Sequence, residues 1–226
     1  DGDGDARLGA LEVLVERWPE DGEVRPLLFD LARCDEGSGV RLDALKVLVE
    51  RWPEDGEVRP LLFDLARCDE GSGVRLGALK VLVERWPEDG EVRPLLFDLA
   101  RGDGDGDARL GALEVLVERW PEDGEVRPLL FDLARGDGDV RLGALEVLVE
   151  RWPEDADCHA LLVGLASGDL GSATGIGSQE TRRTALRILV LAKPSSSETK
   201  TALDRAIGDQ DEQFRRFAEQ VRRGLS

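Results

Sequence analysis

Two segments of the sequence place carboxylates at the spacing found in calcium-binding loops. Aspartates at relative positions 1, 3 and 5, with a glutamate at position 12, match the ligand pattern of an EF-hand. The matching residues are Asp1, Asp3, Asp5 and Glu12 in one segment, and Asp103, Asp105, Asp107 and Glu114 in the other. Position 6 needs a glycine for a sharp turn, but the sequence has Ala6 and Ala108 there. We therefore predict that Asp5 and Asp107 cap helices, and that the chain binds no metal ion or cofactor.

Few groups in the sequence could carry out catalysis. His159 is the only histidine, and the adjacent Cys158 would point in a different direction on a helix. The segment 171–178 is rich in glycine and serine but lacks the lysine of a phosphate-binding loop. The sequence shows neither a metal-type spacing of Cys and His nor a Ser-His-Asp candidate. We predict that this chain has no enzymatic activity of its own.

Internal repetition dominates the chain. Residues 40–67 and 74–101 differ only at Asp43 and Gly77. Trp-Pro pairs recur at Trp18-Pro19, Trp52-Pro53, Trp86-Pro87, Trp120-Pro121 and Trp152-Pro153, which are steps of 34, 34, 34 and 32 residues. A fixed period in this range predicts a stacked array in which each copy is one supersecondary unit. Such an array favours a binding surface over a catalytic pocket.

Each copy contains two helical patterns. In the first, apolar residues of the segment 40–52 cover a broad arc, and Asp43, Lys46 and Glu50 share the remaining polar face. Pro53 ends this helix, because the residue before a proline is excluded from the helical region. In the second, Pro60 falls in the first turn, where a proline removes no hydrogen bond.

These patterns predict helices along the whole chain. First-type helices, which contain Val-Arg or Ala-Arg, are predicted at 5–17, 40–52, 74–86, 108–120 and 140–152. Second-type helices, which contain PLLFDLAR, are predicted at 23–33, 57–67, 91–101 and 125–135. After a predicted loop at 167–178, helices of unrelated sequence follow at 180–192, 197–207 and 210–223. We predict near-identical repeats over residues 1–178, and divergent C-terminal repeats with a cap over residues 179–226.

The order of these motifs resembles the HEAT repeat family. PLLFDLAR at 128–135, an Asp/Gly turn, and VRLGALEVL at 140–148 match the Leu-rich helix, acidic turn and Val-Arg helix of a HEAT unit. The resemblance covers residues 5–166. It implies an all-α fold, a right-handed α-solenoid of HEAT-like helical hairpins with the Val-Arg helices on its concave side. The tetratricopeptide repeat shares the period but expects Trp early in its first helix and Pro after its second.

The polar face of the first-type helices is the predicted partner-binding site. The copies differ from one another there, with Gly or Asp at the position of Asp43 and Glu or Lys at the position of Lys46. We call this face the acidic ridge: Glu12, Glu16, Asp43, Lys46, Glu50, Lys80, Glu84, Glu114, Glu118, Glu146 and Glu150. Its excess of acids favours a basic or mixed-charge protein or peptide. The alternative is an ordinary solvated face whose sequence drifts neutrally.

Other residues of the copy are predicted to be structural. The interspersed glycines, Gly9, Gly77, Gly111 and Gly143, suit places where a backbone or ligand comes close. Arg41 and its equivalents project onto the apolar side, so we predict pairing with aspartates in the turns of adjacent copies. Phe29, Phe63, Phe97 and Phe131 are predicted to stack between copies, and the tryptophans to lie in the core.

Composition limits the partners and the compartment. The net charge of -18 argues against nucleic-acid binding. No signal peptide or long apolar run points to a membrane. Cys34 and Cys68, at equal positions in successive copies, are predicted to be free thiols, which favours the cytoplasm. The start at Asp1, partway through a unit, predicts a piece of a longer protein, and the arginine-rich composition favours a bacterial source.

Together these features predict a protein-interaction or ligand-sensing scaffold that binds a protein or peptide along the acidic ridge. Two alternatives stay open. One is a structural or designed consensus array with no specific ligand. The other is the regulatory array of an enzyme whose catalytic domain lies upstream. The near-identical tandem units look like the C-terminal sensor arrays of some bacterial NACHT-type signalling NTPases, which favours the second alternative.

Overall fold

In a computed structural model, the described residues are 4–18, 21–102, 104–136, 140–168 and 179–224. Within them the chain folds into thirteen α-helices and contains no strand, which confirms the all-α prediction. Most of the predicted loop at 167–178 lies outside the described residues, as do Asp1, Asp3 and Asp103 of the segments with calcium-loop spacing.

The helices alternate between the two predicted types. In chain order they are α1 (Gly4–Arg17), α2 (Val24–Cys34), α3 (Ser38–Arg51), α4 (Val58–Cys68), α5 (Ser72–Arg85), α6 (Val92–Gly102), α7 (Gly106–Arg119), α8 (Val126–Arg135), α9 (Val140–Arg151), α10 (Ala156–Ser167), α11 (Gln179–Ala192), α12 (Ser197–Ile207) and α13 (Glu212–Gly224). Where a helix was predicted, its ends agree with the structure to within two residues. Odd-numbered helices up to α9 are first-type, and even-numbered helices up to α8 are second-type.

The Trp-Pro pair ends each first-type helix as predicted. Trp52 has φ -129° and ψ 57°, outside the helical region, while its N–H still donates to Leu48 O at 2.9 Å. The chain then turns through Asp55, whose N–H donates to Trp52 O at 3.0 Å. The Asp55 carboxylate accepts the Glu57 N–H at 2.9 Å, which holds the turn in place before α4 begins.

The chain divides into two compact units, Asp1–Leu116 and Val117–Ser226. In the first, α2 packs against α3 and α4 against α5, so these two second-type helices pair with the first-type helices that follow them. Helices α1, α3 and α5 are also successive neighbours there. In the second, the pairs are α8 with α9, α10 with α11, and α12 with α13. This pairing of consecutive helices is typical of an all-α repeat.

A leucine of one copy fits over a glycine of the next. A Cβ on Gly77 would lie 2.4 Å from Leu42 Cδ2, and one on Gly111 would lie 2.3 Å from Leu76 Cδ2. The group that comes close is therefore a side chain of the preceding copy, and not the backbone or ligand that the sequence suggested. Glycine allows first-type helices of successive copies to pack closely. We call this contact the Leu-Gly notch.

Helix α11 follows the first-type template, although its sequence looked unrelated. Lys193-Pro194 stands in place of Trp-Pro, and the Lys193 N–H donates to Leu189 O at 2.9 Å, as Trp52 does to Leu48. Ala185 and Leu186 are fully buried, like Ala44 and Leu45 in α3. The hairpin geometry thus extends beyond the near-identical copies.

The Leu-Gly notch predicts opposite results for two glycines in equivalent positions. Gly111→Leu should lower the free energy of unfolding by about 1–3 kcal/mol, because Leu76 already occupies the space. Gly9→Leu should not destabilise, because a Cβ there meets no atom within 4 Å and the helix gains up to about 1 kcal/mol of propensity. Urea unfolding of both variants measures this, and equal destabilisation would contradict the notch.

Candidate protein-interaction surface

A buried arginine, Arg41, fixes its own turn to the turn of the next copy. Arg41 is 4% exposed, and its Nη1 donates to the backbone O of Asp35 at 2.6 Å. Its Nη2 donates to Asp69 Oδ1 at 2.8 Å, and both side chains of this ion pair are 5% exposed. The same Asp69 oxygen accepts the Gly71 N–H at 2.8 Å. Arg7 makes the equivalent ion pair with Asp35 at 3.0 Å. The predicted pairing with turn aspartates of the adjacent copy is confirmed.

Removing one partner of a buried ion pair leaves a charge without compensation. Asp69→Asn is therefore expected to lower the free energy of unfolding by about 3 kcal/mol. The exposed Asp64, on the same helix-turn segment, provides a matched control, and Asp64→Asn should cost less than about 0.5 kcal/mol. Chemical denaturation measures both, and similar losses in the two variants would show that the pair does not hold the copies together.

A second set of arginines links the second-type helices to the following Trp-Pro turns. Arg59 Nε donates to Asp89 Oδ2 at 2.7 Å, and Arg25 makes the same contact with Asp55. In the second unit, Arg127 donates to Asp155 Oδ2 at 2.7 Å. The hydrogen bond from Arg25 is the main cause that lowers the pKa of Asp55 below its ordinary value of 3.8. Burial opposes this shift.

The lowered pKa of Asp55 makes stability depend on acidity. A carboxyl group whose folded pKa is depressed stabilises the fold fully above its unfolded pKa, and this contribution is lost as the pH falls through the folded value. The free energy of unfolding should therefore decline below about pH 4. The free energy of unfolding of Asp55→Asn should decline less steeply with falling pH than that of the unmodified protein. The control Asp98→Asn should show a slope closer to that of the unmodified protein. Urea titrations from about pH 3 to 6 test this, and identical slopes would refute it.

The phenylalanines are covered by arginines of their own helix. Phe63 is 4% exposed, with the guanidinium carbon of Arg59 4.7 Å and that of Arg67 5.1 Å from the ring centroid. The same pair of contacts occurs at Phe29, Phe97 and Phe131. Arginines at i-4 and i+4 thus lie against each ring. The sequence suggested stacking between copies and did not reveal these cation-π contacts, although the spacing in VRPLLFDLAR could have shown them.

The tryptophans are less buried than the sequence suggested. Trp52, Trp86, Trp120 and Trp152 are half-buried, and Trp18 is 53% exposed. Each lies at the end of a helix, where the turn leaves part of the indole open to solvent. The prediction that they belong to the core is therefore wrong.

The acidic ridge lies on the surface. Its exposed members are Glu16, Lys46, Glu50, Lys80, Glu84 and Glu114 in the first unit, and Glu118, Glu146 and Glu150 in the second. Asp43 is half-buried, and its carboxylate forms a 3.0 Å ion pair with Lys46 Nζ. The side chain of Glu12 lies outside the described residues. Position 46 and its described equivalents, where the copies differ in charge, are all exposed.

Exposed arginines also border the ridge. They follow the last ridge glutamate of each first-type helix and are Arg17, Arg51, Arg85, Arg119 and Arg151. Sequence reasoning did not include them, although each directly follows a glutamate that it did include. The surface of these helices is therefore mixed in charge, with acids along the middle and an arginine at the C-terminal end.

In the second unit, α11 has other residue types at the positions that belong to the ridge in earlier helices. Arg187 stands at the position of Lys46 and is exposed, and Leu191 stands at the position of Glu50 with 76% exposure. An open groove of about 530 Å³ lies beside them, lined by residues that include Arg183, Arg187 and Phe217. Arg183 Nη2 contacts the Gln213 side-chain oxygen at 3.3 Å. Helix α11 thus presents an arginine and an apolar side chain where earlier first-type helices present charged ridge residues.

The structure also brings together a serine and the only histidine. Ser196 Oγ lies 3.4 Å from His159 Nε2, a contact that sequence reasoning missed. The hydroxyl accepts the Thr199 N–H at 3.0 Å as the N-cap of α12, and donates to Thr199 Oγ1 at 2.9 Å. Ser196 is therefore the N-cap of α12, and its contact with His159 is the longest of its three hydrogen-bond contacts described above.

The second segment with calcium-loop spacing begins a helix. Asp105 Oδ1 accepts the Ala108 N–H at 3.0 Å, so Asp105 caps α7, and the prediction of Asp107 as the cap is wrong. Asp107 lies instead in the first turn of the helix. In the part of the chain that the structure describes, no three His, Cys, Asp or Glu residues form a group that could hold a metal ion.

The three cysteines are unpaired, and one of them is buried. Cys34 and Cys68 are exposed, whereas burial raises the pKa of the Cys158 thiol to about 11. Cys158 therefore remains protonated and serves as an apolar core residue of α10. Of the helices described, none is long and apolar enough to span a membrane.

Comparison with known proteins identifies no relative: no family model matches the chain, and no curated protein matches it.

Proposed function

We propose that the chain is a HEAT-like interaction module, a right-handed α-solenoid that binds a basic or mixed-charge protein segment along the acidic ridge. One observation carries this proposal. The position of Lys46 varies in charge between near-identical copies and is exposed in each copy where its side chain is described. The contacts that hold the copies together, such as Arg41 with Asp69, use other residues. The ridge can therefore change its charge pattern without changing the scaffold.

The chemistry of the surface favours an extended, charged partner. The acids of the ridge repeat with the copies, so a partner that lies across several first-type helices meets a carboxylate on each. Opposite charges on exposed surfaces mainly accelerate and orient association. The arginines at the helix ends, together with Arg187 on α11, favour a segment that also contains acidic residues. A mixed-charge partner fits this distribution better than a purely basic one.

We also propose that this chain contributes binding and not catalysis. Ser196, which contacts the only histidine, has a structural role as the N-cap of α12. The unpaired Cys34 and Cys68 support placing the protein in a reducing compartment such as the cytoplasm.

Three ridge reversals test the proposal. One variant combines Glu50→Lys, Glu84→Lys and Glu114→Lys. A fluorescent peptide of alternating Lys and Glu blocks should bind this variant about tenfold or more weakly than it binds the unmodified protein, because three attractive contacts become repulsive. Anisotropy titrations at low and moderate salt measure the affinity. A lysine-only peptide and a glutamate-only peptide, titrated in parallel, show which charge of the mixed peptide the ridge selects.

The matched control reverses three exposed acids on the second-type helices of the same copies. This control combines Asp30→Lys, Asp64→Lys and Asp98→Lys. It changes the net charge by the same amount as the ridge variant, and its substitutions lie away from the ridge. This variant should retain most of the affinity. If both triple variants weaken binding equally, the peptide responds to net charge alone and the ridge is not a binding site.

A further inference from the structure

Helices α11 and α13 replace the Leu-Gly notch with an arginine and a phenylalanine. Arg183 stands four residues before Arg187, so it occupies the position of the notch leucine. Arg215 of α13 donates to the backbone oxygen six residues before it at 2.9 Å, the bond that Arg41 makes at 2.6 Å. Phe217, two residues later, therefore occupies the position of the notch glycine. The Arg183 guanidinium carbon lies 5.9 Å from the centroid of that ring.

These larger side chains leave a groove where earlier copies are closed. Its volume is about 530 Å³, and it is lined by α11 side chains and by Phe217 of α13. Arg183, Arg187 and the half-buried ring contribute two positive charges and an apolar surface. Glu180, which is exposed near the start of α11, is the one acid among the lining residues.

The two arginines of the groove have no carboxylate partner among the described residues. Arg183 Nη2 contacts the side-chain oxygens of Gln179 and Gln213, at 3.3 Å each. Both contacts are longer than the usual range of about 2.7–3.2 Å, and the buried Nε of Arg183 has no partner in the described part of the chain. Arg187 is exposed. Both guanidinium groups can therefore accept a carboxylate from another molecule.

An apolar side chain extends this surface by one helical turn. Leu191 follows Arg187 by four residues, which places the two side chains side by side on the helix. It is 76% exposed, at a position where Glu50 and Glu150 are found in earlier helices. One face of α11 thus carries two arginines and a leucine in a row.

We propose that α11 and α13 bind an extended acidic peptide segment, whose carboxylates pair with Arg183 and Arg187 and whose apolar side chain packs on Leu191. This inference goes beyond the proposed function and does not depend on it. The acidic ridge attracts basic groups, whereas this surface attracts acidic ones.

The spacing of the three side chains fits an extended peptide. Side chains four residues apart on a helix are separated by about 6 Å along its axis. Alternate side chains of an extended chain lie about 6.6 Å apart on one face. A segment with acid, acid and apolar residues at alternate positions therefore matches Arg183, Arg187 and Leu191. Glu180 lies before Arg183, outside this stretch.

The charge of the neighbouring helix favours a short peptide over a polyanion. Helix α9 packs against α11 and carries the exposed Glu146 and Glu150. A nucleic acid or an anionic membrane would bring phosphates close to these glutamates as well as to the arginines. A short acidic segment that follows α11 meets only the arginines.

Binding of a short fluorescent peptide tests the proposal. In the peptide, Glu, Glu and Leu occupy alternate positions with serines between them, and anisotropy titrations at low salt measure its affinity. A variant that combines Arg183→Gln and Arg187→Gln should bind it about tenfold more weakly, because two ion pairs are lost. Leu191→Ser should weaken binding about threefold, because an apolar contact is lost. Arg187→Gln alone, at an exposed position, should weaken it about threefold whether or not the double variant folds.

The matched control combines Arg222→Gln and Arg223→Gln, two exposed arginines of α13 outside the groove. It removes the same charge and should keep the affinity within about twofold. Equal weakening in the control and in the double variant would overturn the proposal, because net charge alone would then explain binding. A peptide of the same composition with adjacent glutamates should bind more weakly, and equal affinity would rule out the proposed spacing.

Two further titrations separate this site from other surfaces. A duplex oligonucleotide that binds more tightly than the peptide, and displaces it, would show a phosphate-binding surface and overturn the proposal. The ridge variant Glu50→Lys, Glu84→Lys and Glu114→Lys carries its substitutions in the other unit and should still bind the acidic peptide. Loss of that binding would contradict a separate site, whereas a ridge that fails to bind its own peptide leaves this result unaffected.

Discussion

The buried ion pair of Arg41 with Asp69 is the constraint on which the rest of the first unit depends. A guanidinium removed from water is costly unless its charge is paired and most of its hydrogen bonds are made. Arg41 bonds through Nη1 to the backbone of its own turn and through Nη2 to a carboxylate of the next copy, whereas its buried Nε has no partner among the described residues. The pair can form only at one register between copies. Arg7 and Arg41, which are 34 residues apart, accordingly each reach an aspartate 28 residues further along the chain. The buried Arg141, in the copy with the 32-residue step, contacts Thr181 Oγ1 at 2.9 Å in place of a turn aspartate.

The helices could be predicted from the sequence because their ends are set by local chemistry. A residue before proline leaves the helical region, and a turn aspartate bonds to the backbone two residues later, so Trp52 and Asp55 define a boundary without any tertiary information. Helix α11 was predicted as a helix but not as one of the first type, because Lys193 replaces the tryptophan that marks the other copies. Its burial pattern still follows the template, since position along the helix decides what faces the core.

The candidate surface could be predicted only in part. Plotting the sequence of one helix at 100° per residue separates polar from apolar positions, and this projection correctly placed Lys46 and Glu50 at the surface. It cannot show which neighbour approaches, so Gly77 was assigned to a ligand when Leu42 fills the space. The contacts of Arg59 and Arg67 with Phe63 were not predicted either, although their spacing at i-4 and i+4 was sufficient to indicate them.

The separation between the exposed position 46 and the buried contacts has a consequence for how this surface can change. Units that interact only with their nearest neighbours have stabilities that approximately add, and substitutions at distant exposed sites combine with little coupling. A glutamate in one copy can become a lysine while the other copies keep theirs. New charge patterns can therefore arise by single steps, none of which has to wait for a compensating change elsewhere in the chain.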